Sequence, residues 1–236
     1  MPTLFAVSPL RQPRLVALPF LVLAACAMPS VGYAQSFEGQ VGVASEYVGK
    51  GLGKSDGNPS VFGSAEVEGG DIYASVFASS AELSAGAHAE VITAVGYRPE
   101  FAGFDFDLQV MNRDLPGSNP GYDSNYWEYQ ADASRKIGSV STRFRVNYTP
   151  DGAGATREAW WVELQGGVAI DSKTKATAAV ADRTADGGAD YVAWNAGVKR
   201  KLTDKIALDV RWYDTDGHSF GESYEGRLVG ALSFSF

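Results

Sequence analysis

The amino-acid sequence predicts an all-β fold, a transmembrane antiparallel up-and-down barrel of about 12 strands. Three observations lead to this prediction. Apolar and polar residues alternate over strand-length segments, turn residues including many of the 27 glycines interrupt them about every dozen positions, and no window keeps an apolar stripe at helical spacing. After the N-terminal segment, no run approaches the roughly 18 apolar residues of a membrane-spanning helix.

Residues 1–34 have the features of an export signal. Arg11 and Arg14 precede an apolar run, the segment holds no acid, and Gly32 and Ala34 stand third and first before the expected cleavage site. Cleavage after Ala34 predicts one barrel domain over residues 35–236, exported from the cytoplasm. An alternative is lipidation of Cys26, because Leu23 to Cys26 has the spacing of a bacterial lipoprotein signal.

The charge of the mature part excludes one class of partner. Without Arg11 and Arg14, 18 Lys and Arg remain against 28 Asp and Glu, a net charge of −10. Binding of nucleic acid is therefore not expected. The sequence has no phosphate loop, nucleotide motif or Cys/His cluster, so we expect no cofactor and no bound metal.

Twelve segments fit strand periodicity, each bounded by Gly, Pro, Asn, Asp or Ser. Their predicted ranges are 37–48, 59–69, 71–80, 88–98, 104–112, 126–135, 139–149, 157–170, 174–182, 190–200, 206–215 and 224–236.

The connections between these segments alternate in length. "GKGLGKSDGN" is long and Gly69-Gly70 is short, "RDLPGSNPGYDSN" is long and "KIG" is short, and the last connection, "DGHSFGES", is long. An even number of strands, with long loops at one end and both termini at the short-turn end, is the layout of an outer-membrane barrel with periplasmic termini.

The apolar face of the segments carries almost no charge. In segment 104–112, Phe104, Phe106 and Leu108 oppose Asp105 and Asp107. A charge-free face is what contact with hydrocarbon requires, because Arg or Lys at mid-depth costs about 2 to 4 kcal/mol. Outer-membrane lipid is therefore a predicted partner.

Aromatic residues segregate between the two ends of the segments, as expected for membrane interfaces. Tyr and Trp crowd the long-loop ends, at Tyr47, Tyr126, Trp127, Tyr148, Trp160, Trp161, Tyr191, Trp194, Trp212, Tyr213 and Tyr224. Near the short turns, Phe predominates, at Phe37, Tyr97, Phe101, Phe104, Phe106, Phe234 and Phe236.

The chain stops on an alternating segment with no polar tail. Leu232, Phe234 and Phe236 share its apolar face. Since barrel closure leaves no unpaired backbone in lipid, the last strand is expected to pair fully with the first. A terminal phenylalanine behind alternating apolar residues also resembles the signal read by the barrel assembly machinery, which is a second predicted partner.

Charged residues on the other face are candidate pore-lining residues. They are Asp105, Asp107, Glu128, Asp132, Arg143, Arg145, Glu163, Lys199, Asp209, Arg211 and Arg227, together with the inward acids Glu38, Glu46, Glu66, Glu68 and Glu90. Acids concentrate on the fourth to sixth segments and bases on the last three. This arrangement predicts a transverse field with weak cation preference. The alternative is that these charges pair and fill the interior.

A barrel of about 12 strands lies between side-chain-filled barrels of about eight strands and aqueous channels of about 16 to 18. We therefore expect a narrow lumen, which side chains could occlude at rest. The expected partners inside it are small polar solutes or ions.

The stretch "SEYVGKGLGKSDGNPSVFG" resembles the opening signature of the TorF family, small porin-like barrels of the Gram-negative outer membrane. The matching positions are Ser45, Tyr47, Gly51, Ser55, Asp56, Gly57, Pro59 and Gly63. Lys50 stands where the family pattern has Arg, and Phe62 where it has a polar residue. The resemblance implies a pore but identifies no solute.

The leading functional hypothesis is a porin-like channel. The alternatives are a structural or adhesive barrel without flux, a lipidated soluble β protein, and an outer-membrane hydrolase using His218 beside Ser219. The acids of "DTDGHSFGESYE" have spacings similar to those of a calcium loop, but Ser219 stands where the turn glycine belongs. A solvated loop explains this stretch more simply.

Overall fold

The computed structural model describes residues 35–236, and the predicted export signal, with Cys26, lies outside them. Within these residues, each strand pairs antiparallel with its neighbour in sequence and the last pairs with the first, which confirms the predicted fold. The barrel strands are β1 (Gln35–Ala44), β2 (Ser60–Gly69), β3 (Ile72–Ser80), β4 (Ala89–Tyr97), β5 (Phe104–Asp114), β6 (Asn125–Ile137), β7 (Val140–Gly152), β8 (Arg157–Ala169), β9 (Thr174–Ala185), β10 (Tyr191–Lys201), β11 (Ile206–Thr215) and β12 (Arg227–Ser235).

Smaller elements lie in the connections. Two-residue strands occur at Val48–Gly49, Leu52–Gly53 and Glu100–Phe101, and short 3-10 turns at Ser84–Gly86, His218–Phe220 and Glu222–Tyr224. No helix within residues 35–236 has the length and apolar character needed to cross a membrane.

The barrel closes by pairing of its first and last strands. The β1–β12 register runs from Gln40 opposite Ser235 to Ala44 opposite Ala231. Beyond β12, the backbone of Phe236 exchanges two hydrogen bonds of 2.9 Å with that of Gly39. The last residue is thus paired through its backbone, which a barrel edge in lipid requires.

Several strand ends, and the connections between them, differ from the predicted ones. β1 ends at Ala44 and not at residue 48, because the chain there turns away from the sheet. β12 begins at Arg227 and not at residue 224, since Glu222–Tyr224 form a 3-10 turn. The long connection predicted between β7 and β8 is short, because both strands extend past a register shift between Thr149 and Gly152.

The outer face of the barrel is apolar. Along β8, Val162, Leu164 and Val168 are exposed, whereas the intervening Trp161 and Glu163 are buried. The exposed tryptophans Trp127, Trp160, Trp194 and Trp212 lie toward the long loops, and Phe37, Phe101, Phe104, Phe234 and Phe236 lie toward the short turns, as predicted. Phe220, exposed in the long loop before β12, is an exception.

Several aromatic residues near the long-loop ends do not belong to this outer face. Trp161 and Tyr191 are only 5% and 3% exposed and form part of a buried cluster. They lie near the long-loop ends, as predicted, but on the inner face, because position along a strand does not determine the face on which a side chain lies.

The two faces of β8 should respond differently to the same charge. We predict that Leu164→Arg lowers the free energy of unfolding in lipid vesicles by about 2 to 4 kcal/mol, because Leu164 is 56% exposed on the apolar face. Gln165→Arg, its neighbour on the inner face, should cost much less. Urea unfolding of both variants checks this, and equal losses would contradict the assigned faces.

Candidate functional site

The loop of residues 45–59, which connects β1 to β2 and is called L1 here, folds into the barrel. Its Val48–Gly49 and Leu52–Gly53 pairs form a small hairpin. At the hairpin tip, the Lys50 ammonium contacts the Glu128 carboxylate on β6. The Tyr191 hydroxyl on β10 donates a hydrogen bond of 2.8 Å to the Lys50 carbonyl. Since β6 and β10 are not neighbours of β1 or β2, L1 extends across the lumen.

The tip of L1 fits closely against the wall. Gly51 has φ of +80°, and a Cβ atom there would lie 2.7 Å from the Cβ of Ala193. Leu52 packs on the buried cluster that contains Trp161 and Tyr191. These two aromatic residues face inward because they form an apolar seat for L1.

Two carboxylates beneath L1 are almost completely buried, with Glu90 0% and Glu128 1% exposed. Lys54 lies 2.8 Å from Glu90. Arg113 bridges both acids, at 2.9 Å from Glu90 and 3.1 Å from Glu128. Buried carboxylates need such partners, because an unpaired charge in this position costs several kcal/mol.

Neutral groups complete the hydrogen bonding of the two acids. The Tyr47 hydroxyl donates to Glu90. Asn147 Nδ2 and Thr149 Oγ1 donate to Glu128 over 3.0 and 3.2 Å. The result is a cluster of three cations, Lys50, Lys54 and Arg113, around two satisfied carboxylates.

Lys50 belongs to L1 and not to a membrane-spanning strand. Burial lowers the pKa of its ammonium to about 8, with Arg113 and Lys54 acting in the same direction and Glu128 opposing them. Lys50 therefore loses its proton near pH 8, whereas the guanidinium of Arg113 keeps its charge.

Cavities lie on both sides of this cluster. One of about 140 Å³, toward the long loops, is lined by residues that include Lys54, Arg183 and Thr156. The other, of about 190 Å³, lies deeper and is lined by residues that include Arg145 and Asn195. Lys50 and Arg113 line both cavities, so they mark the boundary between them. We call this boundary the constriction.

The inner faces of the strands hold the predicted pore-lining residues. Arg145 forms two hydrogen bonds with Asp132, at 2.7 and 2.6 Å, and Arg143 lies 2.5 Å from Glu163. The remaining predicted residues lie beside other polar groups of the lumen. Arg211 donates hydrogen bonds to Asn195 and Thr177, and Arg227 pairs with Glu46.

The other predicted residues lie deeper in the barrel. Asp107 accepts a hydrogen bond from Tyr73, Lys199 and Asp209 line one cavity, and Asp105 lies near the short-turn end of β5.

These contacts do not support the predicted transverse field. Glu90, Glu128 and Asp132 on the acid-rich side each pair with a nearby base. Asp107 likewise lies 3.5 Å from Arg98, so that side is locally neutralised. These residues instead pair with each other inside the barrel, which is the alternative that the sequence analysis gave.

Sequence reasoning missed the cations of the constriction. Arg113 is an even number of residues from Asp105 and Asp107, so strand alternation would have placed it on the same inner face. The predicted segment, however, ended at residue 112, while β5 extends to Asp114. For Lys50 and Lys54 there was no comparable signal, because periodicity does not apply to a glycine-rich loop.

The motif that suggested the TorF family mainly shapes L1. Ser55 Oγ accepts from Tyr47 N over 2.9 Å and donates to the Asn58 carbonyl over 2.6 Å. Asp56 and Gly57 have positive φ angles and form the following turn. The other matching positions lie at the ends of this unit: Ser45 accepts from the amide of Gly230, Pro59 precedes β2, and Gly63 lies within β2.

The candidate hydrolase pair is not assembled. His218 Nε2 lies 2.8 Å from Asp214 Oδ1, and among the described residues no hydrogen bond joins it to Ser219. Over the same residues, no group of three or more His, Cys, Asp or Glu side chains is placed to hold a metal ion.

Comparisons with known proteins give a family and a fold. The family model described as "Bacterial protein of unknown function (Gcw_chp)" matches residues 27–230. No curated protein sequence matches the chain. The TorF assignment is not shown by these comparisons.

Solved outer-membrane barrels are similar in structure. A KdgM porin is 10% identical with a TM-score of 0.56, covering 86% of this chain and 99% of its own. A NanC porin is 9% identical with a TM-score of 0.56, covering 85% and 99%. An outer-membrane channel from Pseudomonas putida is 12% identical with a TM-score of 0.51, covering 88% and 98%. At these identities the likeness shows the fold alone.

The close fit of Gly51 can be tested against a matched glycine. We predict that Gly51→Ala loosens L1 by about 1 to 3 kcal/mol, as overpacking does, and makes trypsin cut after Lys50 or Lys54 about tenfold faster or more. Gly57→Ala is the control, because φ there is +71° but a Cβ would meet nothing within 4 Å. Equal cleavage rates in the two variants would show that L1 is not seated against Ala193.

Proposed function

The chain belongs to the Gcw_chp family of bacterial proteins of unknown function, and we propose that it is an outer-membrane channel for passive diffusion of small polar solutes or ions. The observation that carries the proposal is the pair of cavities that meet at Lys50 and Arg113. Both are small and lined by charged groups, inside a barrel whose outer face is apolar.

The remaining space in the barrel supports a channel over a purely structural element. A barrel that serves only as an anchor can fill its interior with packed side chains. Here, besides the two cavities at the constriction, one of about 690 Å³ opens near the short-turn end, lined by residues that include Glu38, Glu66 and Lys205. Space therefore persists at three depths of the lumen.

We propose an outer-membrane location with periplasmic termini, after export and cleavage behind Ala34. The apolar outer face and the similarity in fold to outer-membrane porins support this. The assembly signal is proposed to be Leu232, Phe234 and Phe236, which are all exposed on the outer face. Membership of the TorF family remains an inference from the L1 motif.

Two alternatives have simple discriminators. A structural or adhesive barrel would show a heat-dependent shift in electrophoretic mobility without solute flux. An outer-membrane hydrolase would turn over phospholipid or ester substrates, and loss of turnover in His218→Ala would identify its base. We expect neither result, since within residues 35–236 no hydrogen bond joins His218 to the candidate nucleophile Ser219 and the His218 side chain is 54% exposed.

Conductance in planar bilayers tests the proposal. The full-length mature protein should give small single-channel steps, and deletion of residues 48–53 should enlarge them several-fold, because it removes the hairpin that extends across the lumen. Deletion of residues 218–221, in the exposed loop before β12, is the control and should leave the step size near that of the parent.

Two outcomes would contradict this account. Absence of conductance in both the parent and the hairpin deletion, with the heat-dependent mobility shift intact, would overturn the channel. Equal step sizes in the parent and the hairpin deletion would show that L1 does not form the constriction.

A further inference from the structure

We infer that the constriction selects small anions, with Lys50, Lys54 and Arg113 as the groups that contact them. This inference rests on the proposed channel function and names the class of solute that it passes. It opposes the weak cation preference that the sequence predicted together with a transverse field.

The inference depends on which charged side chains of the constriction are exposed to the lumen. The side chains of Lys50, Lys54 and Arg113 are 29%, 18% and 13% exposed. The carboxylates that they neutralise, Glu90 and Glu128, are 0% and 1% exposed. A solute in the lumen therefore meets N–H donors with positive charge, while the carboxylates lie behind them.

Cations continue on both sides of the constriction. Arg183 lines the outer cavity together with Lys50, Lys54 and Arg113, and Glu128 is the one acid in that lining. Arg145 joins Lys50 and Arg113 in the deeper cavity. The acid there, Glu163, has an 11% exposed side chain and pairs with Arg143. An anion can thus pass from one cationic group to the next, which is the arrangement that anion pores use.

Other acids of the lumen lie at a different depth, where Arg98 pairs with Glu66 and Glu68. Glu38, Glu66, Glu68 and Asp105 are near the short-turn ends of β1, β2 and β5, whereas Glu90, Arg113 and Glu128 are near the long-loop ends. Because charges are screened beyond about 8 Å at physiological salt, these distant acids have little effect on an ion at the constriction. The net negative charge of the whole chain therefore does not predict the preference of the constriction.

Reversal potentials in a potassium chloride gradient across a planar bilayer test the inference. The parent should prefer chloride. Lys50→Gln and Lys54→Gln should each lower the chloride-to-potassium permeability ratio about fivefold, since a unit charge about 4 Å away in water changes an interaction by about that factor. Lys173→Gln, at an exposed lysine in a short turn, is the matched control and should leave the ratio unchanged.

The outcomes separate this inference from the channel itself. A parent that conducts but prefers potassium, or shows no preference, overturns the anion site and leaves the channel standing. A parent without conductance overturns the channel and the anion site with it. A heat-dependent mobility shift verifies folding of each variant, and if Lys50→Gln does not fold, Lys54→Gln and the parent's pH dependence decide.

The pH dependence provides an independent readout. Lys50 faces Glu128 on β6, Arg113 on β5, Tyr191 on β10 and Lys54 within L1. As pH rises through about 8, its ammonium loses the proton, so the chloride preference of the parent should fall between pH 7 and pH 9. Lys50→Arg keeps its charge over this range and should abolish the change. An identical pH response in the parent and Lys50→Arg would remove Lys50 from the site.

Discussion

Closure of the sheet between β1 and β12 is the constraint on which the rest of the structure depends. In hydrocarbon no water can satisfy backbone N–H and C=O groups, so a sheet with a free edge cannot span a bilayer. The paired backbone of Gly39 and Phe236 meets this constraint at the last residue of the chain. Closure also separates an outer face that tolerates no charge from an inner face that can hold many.

The width of a closed barrel of 12 strands creates the second problem that the structure solves. A lumen of this width lies between those of side-chain-filled barrels and open aqueous channels, and L1 occupies part of it. Its seat is apolar, at Trp161 and Tyr191, while its far contacts are ionic, through Lys50 and Lys54. Each lysine approaches a buried carboxylate that Arg113 also contacts, so L1 and the wall neutralise each other's charges.

The sequence was sufficient for the features that follow a period of two. Alternation predicted the strands, the two faces and the inward direction of residues such as Asp107 and Arg145, because a pleated strand leaves no other arrangement once one face meets lipid. It was not sufficient for L1, where glycines remove the periodicity and the position of Lys50 depends on Glu128, far away in the chain. The predicted strand ends were also imprecise. Arg113 was therefore left outside its strand, although alternation with Asp105 and Asp107 would have placed it on the inner face.

Amide hydrogen exchange of the mature protein in lipid nanodiscs tests most directly whether L1 is fixed inside the closed barrel. The amide of Lys54 bonds to the Tyr47 carbonyl over 2.7 Å, that of Asn58 to the Ser55 carbonyl and that of Glu82 to the Lys54 carbonyl, both over 2.8 Å. Peptides covering residues 45–59 should therefore exchange slowly, nearly as slowly as the barrel strands. Exchange as fast as that of an unstructured peptide would contradict the account.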